Sequence, residues 1–261
     1  MIDNFFLDIS VFFRDFPSLF ISFLNFILCV FSILCLNKFF GYSGLCCYLV
    51  LSTVIANIQV LYATSYEVIN ISCLLGTVVF CSSFLACDII NEKYGPEKAR
   101  KAIYLTFVIY IFFILNIILT IGHKPLDYTV YQNFSISKET MDSNMSSIKQ
   151  VFLPAPRLLI ASYITYLVSQ MTEIWAFNAV KRIRLIKSNY IKHNIALFGT
   201  SVILDTLIFT ILGMCLMASE PLSLQDFFEI CISAIIIRVL CNMGNTLCMQ
   251  YMRKRGDMIK K

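Results

Sequence analysis

Apolar runs of about twenty residues recur along the whole chain, each long enough to cross roughly 30 Å of hydrocarbon at about 1.5 Å per residue. Seven are read, approximately Ser18 to Leu36, Leu45 to Ala63, Ile69 to Ile89, Ala102 to Ile121, Leu158 to Ala179, Ile195 to Met217 and Phe227 to Met249. A soluble domain has no use for so many, and a mean hydropathy of +0.76 agrees. Backbone polar groups in lipid must be satisfied within each segment, so the expected fold class is all-α: a polytopic membrane helix bundle of about seven spans. The leading "MIDNFFLDISVFFRDF" is acidic where a cleavable leader is basic, so the first span is expected to stay attached.

Alternate connections carry the basic residues: Lys38, "EKYGPEKARK", "KRIRLIKSNYIKH" and "RKRGDMIKK". By the positive-inside rule these face the cytoplasm, putting the N-terminus outside and the C-terminus inside. The net charge of +5 is then a topology signal, and no soluble basic domain exists to bind nucleic acid directly. Residues 1–261 read as a single integral-membrane domain, with 122–156 a long external loop between spans four and five. Its "SISKETMDSNMSSIKQ" is polar and shows no strong helix or strand pattern, so a mobile cap is expected.

Eleven cysteines form no C-x-x-C pair, and His123 and His193 lack ligand spacing, so no metal and no cofactor is expected. A phosphate-binding G-x-x-x-x-G-K-[ST] loop is missing too, which excludes ATP hydrolysis by that route.

Polar groups inside the spans carry the functional signal. "SQMTEIWAF" and "SVILDTLIF" share a pattern, so that Ser169, Glu173 and Phe177 have counterparts thirty-two residues later in Ser201, Asp205 and Phe209. Glu173 lies eight residues from Lys181, about 12 Å from the basic boundary, and Asp205 lies ten from Ile195, about 15 Å. Antiparallel spans thus bring two acids to one depth, as a shared cavity needs. An ionised side chain at mid-bilayer costs roughly 2.5 to 3.5 kcal/mol on insertion scales, so such residues point to function.

Ser162, Tyr166, Ser169 and Glu173, with Gln170 beside them, form one stripe, and Arg238, Asn242 and Asn245 form another. Both are expected to face inward. Arg238 is the evident countercharge, either in an ion pair that only holds helices together or at the wall of a substrate cavity. Thr53, Asn57, Val60 and Thr64 share a face of span two, where amides either bond a neighbouring helix or serve a heterocyclic ligand. Span three closes on Asp88, Asn91 and Glu92 before "YGP", where Gly95 suits a left-handed cap and Pro96 cannot continue the helix. Acids at a helix C-terminus are unfavourable. They call for partners, with Arg100 or Lys101 across the turn or a basic loop as candidates.

"GTVVFCSSFLACDIINEKYGPEKAR", "PRLLIASYITYLVSQMTEIWAF" and "SVILDTLIF" resemble, in order, three signatures of the queuosine precursor transporter family, also called vitamin uptake transporter-like proteins. The resemblance extends from roughly Ser52 to Asn245. It implies a six-helix core, here with an extra N-terminal helix, in a bacterial inner-membrane carrier importing 7-deazaguanine bases for tRNA modification, and no enzymatic activity. Positions matching the family include Asn57, Phe80, Asp88, Asn91, Glu92, Arg100, Arg157, Gln170, Glu173, Asp205 and Phe209. Cys81 stands where the family usually has Pro, and Glu173 where Asp is common.

A guanine-like edge presents a ring N–H and an amino group to a carboxylate, while its carbonyl needs a donor. The expected substrate-binding set is therefore Glu173, Asp205, Gln170, Asn57, Arg238, Arg157, Phe80, Phe209 and Trp175, the aromatic residues stacking on the base. Asp88, Asn91, Glu92 and Arg100 are expected on the release path. A substrate-capturing subunit served by a separate ATPase module, an intramembrane enzyme and a purely structural scaffold are the rival readings; a homo-oligomer stays open.

Overall fold

The computed structural model describes residues 2–66, 71–124, 137–152, 155–182, 202–217 and 224–255, with side chains described for most of these. It is an all-α helix bundle carrying one small β-hairpin. Helix α1 spans Ile2–Arg14 and α2 spans Ser18–Gln59. Then come β1 (Ala63–Tyr66), β2 (Ile71–Leu74), α3 (Gly76–Tyr94), α4 (Pro96–Gly122), α5 (Lys138–Phe152), α6 (Ala155–Arg182), α7 (Asp205–Met217) and α8 (Leu224–Arg255). Among the described residues, three helices are long and apolar enough to cross a membrane: Ser18–Gln59, Pro96–Gly122 and Phe227–Arg255.

Helix α2 contains both of the first two expected spans. Run straight, it would place Thr64 about 69 Å from Ser18. Instead Thr64 Oγ1 donates to Ser18 Oγ at 3.1 Å, and the Ser22 and Tyr66 hydroxyls lie 2.8 Å apart. The chain therefore doubles back, and it does so at Gly41, whose φ of 58° and ψ of −129° break the helix within one residue. Only glycine adopts that conformation without a Cβ penalty. The two arms pack against α3 through Ile33, Leu45, Leu49, Leu85, Ile89 and Ile90, the centre of the main core.

Two expectations are corrected, and one helix is added to them. Span three does not begin at Ile69: residues 63–66 and 71–74 pair as an antiparallel hairpin in the register Tyr66 to Ile71 and Ala63 to Leu74. Alternation in this stretch buries Tyr66 and Cys73 against Ile237 and Cys241 of α8, and the long apolar run hid that two-residue period. The polar segment after span four is not structureless, because Lys138–Phe152 is helical. Ser137 caps it, its Oγ accepting from the Thr140 N–H at 3.3 Å. Met141, Met145, Ile148 and Phe152 recur at helical steps, and the Phe152 ring meets Phe113 of α4 edge-on at 6.1 Å. Finally, α1 adds a helix ahead of the first span, with its aromatic residues continuing as a chain of ring contacts through Phe12, Phe16 and Phe20.

Lys93 Nζ donates to Asn37 Oδ1 at 3.1 Å, the Tyr42 hydroxyl to the Lys98 carbonyl at 3.1 Å, and Arg253 binds Glu92. The basic turns at Gly41 and Gly95 and the end of α8 thus share one end of the bundle. The β-hairpin closes the opposite end. Lipid-facing positions are correspondingly apolar and exposed, as at Phe31, Val108, Phe112 and Leu247.

Candidate functional site

A small pocket of about 50 Å³ opens between α2, α3, α6, α7 and α8 on the hairpin side of the bundle centre. Asn57, Phe80, Asp205, Phe209 and Arg238, all expected from the sequence, line it together. Thr77 and Thr165 line it too and were not foreseen. Their signal was present, since Thr77 lies three residues before Phe80 and Thr165 four before Ser169 on the same helical faces.

Asp205 is the hub. It opens α7 immediately after a turn of π-helix at 202–204 and is fully buried. Its Oδ1 accepts from Ser169 Oγ at 2.9 Å, and its Oδ2 pairs with Arg238 Nη1. An acid in the first turn is also favoured by the helix dipole. A carboxylate has about four lone-pair sites, so these two contacts leave acceptor capacity for a ligand. The Arg238 guanidinium also lies over the Phe80 ring, 5.8 Å from its centroid, and Phe80 meets the Phe84 and Tyr166 rings edge-on. A desolvated cation over an aromatic face is worth about 2 kcal/mol. Asn57 donates from Nδ2 to the Thr53 carbonyl at 2.8 Å, which fixes its amide at the pocket wall.

The two polar stripes face inward. Tyr166, Ser169, Gln170 and Glu173 on α6, and Arg238, Asn242 and Asn245 on α8, are all buried. Yet Glu173 and Asp205 do not share the pocket. Glu173 lies one turn beyond Ser169 toward the basic end, with Asp88 and the Cys81 thiol of α3 as its electrostatic neighbours. Gln170 is turned to α3, donating from Nε2 to Ser83 Oγ at 3.2 Å. Trp175 is 68% exposed on the outer face of α6, away from the pocket. Arg157 falls within α6, but its side chain lies outside the described residues, as does Ser201.

At the basic end, Asp88 and Asn91 are buried, and Asn91 Oδ1 accepts from Asn178 Nδ2 of α6 at 3.3 Å. Glu92 is not paired across the turn with Arg100 or Lys101. Its partner is Arg253 of α8, which donates from Nε to Oε1 at 2.7 Å and from Nη2 to Oε2 at 2.5 Å. This bidentate fork offsets the acid's unfavourable place at the end of α3. Arg100 is exposed. Among the described residues the cysteines are free thiols, and no cluster of three metal-binding side chains occurs.

A bundle of apolar helices around a buried, charged and aromatic pocket, closed at one end by a hairpin and at the other by ion pairs, defines a multi-pass membrane transporter. The chain belongs to the putative vitamin uptake transporter family, whose model matches residues 74–252. It is 29% identical over 178 residues, 68% of this chain and 71% of the relative, to the "Probable queuosine precursor transporter" of Bacillus subtilis (strain 168). No solved structure matches. The family match begins at the last residue of β2 and ends at Met252, so α3 to α7 and most of α8 fall within it, while the α2 hairpin with Asn57 lies before it and Arg253 after it.

Proposed function

We propose that this transporter imports a 7-deazaguanine base, a queuosine precursor, across a bacterial inner membrane. The observation that carries the reading is Asp205, held by Ser169 and Arg238 at the wall of a pocket that also presents the Phe80 and Phe209 rings. The ring N–H and amino group of the base donate side by side to the Asp205 carboxylate. Its carbonyl accepts from Arg238 or Asn57, and its faces stack on the phenylalanines. The relative's name supports this substrate class.

Release is toward the basic, cytoplasmic end, past Asp88 and Asn91. There the Glu92–Arg253 pair and the Lys93–Asn37 bond hold α3, α8 and the α2 hairpin together, and opening requires both to part. The test is queuosine in the tRNA of a bacterium that neither makes nor imports precursors, expressing this chain and fed each 7-deazaguanine base separately. Restoration by at least one base is expected. Absence of restoration by every base, with the protein present in the membrane, overturns the reading.

A further inference from the structure

Helix α1 is too short to cross a bilayer: its 13 residues reach about 20 Å, against the roughly 30 Å of a hydrocarbon core. It is amphipathic instead. At about 100° per residue, Ile2, Phe5, Phe6, Ile9, Phe12 and Phe13 fall within one arc of about 120°, and every polar residue of the helix falls outside that arc. Val11 lies nearly opposite Ile9.

The bundle does not cover this helix. From Leu7 to Phe12 every residue is exposed, on the apolar side and the polar side alike. The end of α1 is well defined, because the Asp15 and Phe16 N–H groups donate to the Phe12 and Phe13 carbonyls at 3.4 and 3.2 Å, and Pro17, with φ of −54° and ψ of 135°, interrupts the helix before α2 starts. Across that break the aromatic surface is continuous. Phe12 meets Phe16 edge-on at 5.1 Å, and Phe16 stacks on Phe20 at 5.4 Å. Phe20 is an exposed residue of the first arm of α2, where exposed apolar side chains face lipid. The apolar face of α1 therefore extends the lipid-facing surface of that arm.

We infer that α1 is an interfacial anchor, lying along the membrane surface at the hairpin end of the bundle with its Ile9, Phe12 and Phe13 face in lipid, and that it steadies the hairpin beside the pocket. Apolar burial holds it there. Asp3, Asp8 and Asp15 outnumber Arg14, so attraction to anionic headgroups contributes nothing. The link to the pocket is short. Ser18, directly after Pro17, accepts from Thr64 of β1, and one turn on the Ser22 hydroxyl meets that of Tyr66. β1 pairs with β2, whose Leu74 lines the pocket. Holding α1 in the interface thus holds the start of α2 and, through it, the hairpin. The inference does not depend on what is transported.

The test uses the full-length protein in nanodiscs, with Trp175→Phe removing the native indole so that a single introduced tryptophan reports. Ile9→Trp and Val11→Trp place it at positions about 160° apart around the helix. The Ile9→Trp reporter should be quenched by brominated acyl chains and shielded from aqueous acrylamide, and the Val11→Trp reporter the reverse, in zwitterionic and anionic bilayers alike. Both variants introduce the same ring, so the affinity of indole for the interface does not by itself produce a difference. Equal quenching of both by acrylamide puts the helix in water. Shielding of the Ile9→Trp reporter from both quenchers puts a protein surface, such as a second copy, over the face. Either result overturns the anchor, as does lipid quenching confined to anionic bilayers.

Hydrogen–deuterium exchange tests the link to the hairpin separately. Ile9→Asn, Phe12→Asn and Phe13→Asn combined should speed exchange of the β1 and β2 amides about threefold or more and leave those of α3 unchanged. Unaltered exchange in the hairpin, or a uniform rise along the whole chain, overturns that link.

Discussion

Arg238 of α8 donates to the carboxylate of Asp205 on α7, whose other oxygen accepts from Ser169 of α6, so one buried acid joins three helices at the pocket wall. Such a pair is costly to break from one side, because the remaining charge is stranded in a medium that cannot solvate it. The two residues consequently have separable structural and functional roles.

Asp205→Leu alone or Arg238→Met alone should destabilise the protein by about 3–5 kcal/mol, whereas the double variant should lose less than the sum of the two. Thermal unfolding in detergent measures this. Additive losses would mean that the pair is not an energetic unit.

Phe80 sits under the Arg238 guanidinium and within the pocket lining. Phe80→Leu keeps an apolar side chain but removes the π-face, and should raise KM for the transported base five- to tenfold, about 1 kcal/mol. Initial uptake rates over a concentration series check it, with membrane expression matched.

Gly76 begins α3 where it abuts α2, and a Cβ built there would overlap the Ala56 carbonyl. Backbone cannot rotate aside as a side chain does, so Gly76→Ala should cost about 1–3 kcal/mol and distort the pocket that Gly76 lines. Gly122→Ala, with open space around it, is the control and should change Tm little.

The Glu92–Arg253 fork is bidentate but its side chains are 17% and 18% exposed, so water screens it. Arg253→Ala should cost about 1 kcal/mol. Because the pair spans the basic end, the variant should also speed exit of preloaded base from proteoliposomes. The charge swap, Glu92→Arg with Arg253→Glu, should restore much of both. Unaltered exit rates in every variant would remove the pair from the gate.

Burial of the stripes on α6 and α8 was legible in the sequence because helical periodicity and the cost of polar groups in lipid leave few arrangements. Depth along the membrane was legible by counting residues only to within a turn of helix, and that is why Glu173 and Asp205, expected to meet, are separated: Ser169, one turn back on the same stripe, rather than Glu173, reaches Asp205. Partners distant in sequence were equally hidden. Arg253 lies 161 residues from Glu92, and the nearer Arg100 and Lys101 looked sufficient on charge alone. The β-hairpin was obscured because its alternation is embedded in an apolar run, and α5 because its stripe relies on Met at two of four positions.

The most direct test of the account is uptake of a labelled 7-deazaguanine base by the wild type and by Asp205→Asn, with the two proteins at matched levels in the membrane. Asparagine keeps the size of the side chain but removes the negative charge and one acceptor oxygen, so the account predicts saturable uptake by the wild type and its loss in the variant. Equal uptake by both would contradict the assignment of Asp205 as the group that holds the base.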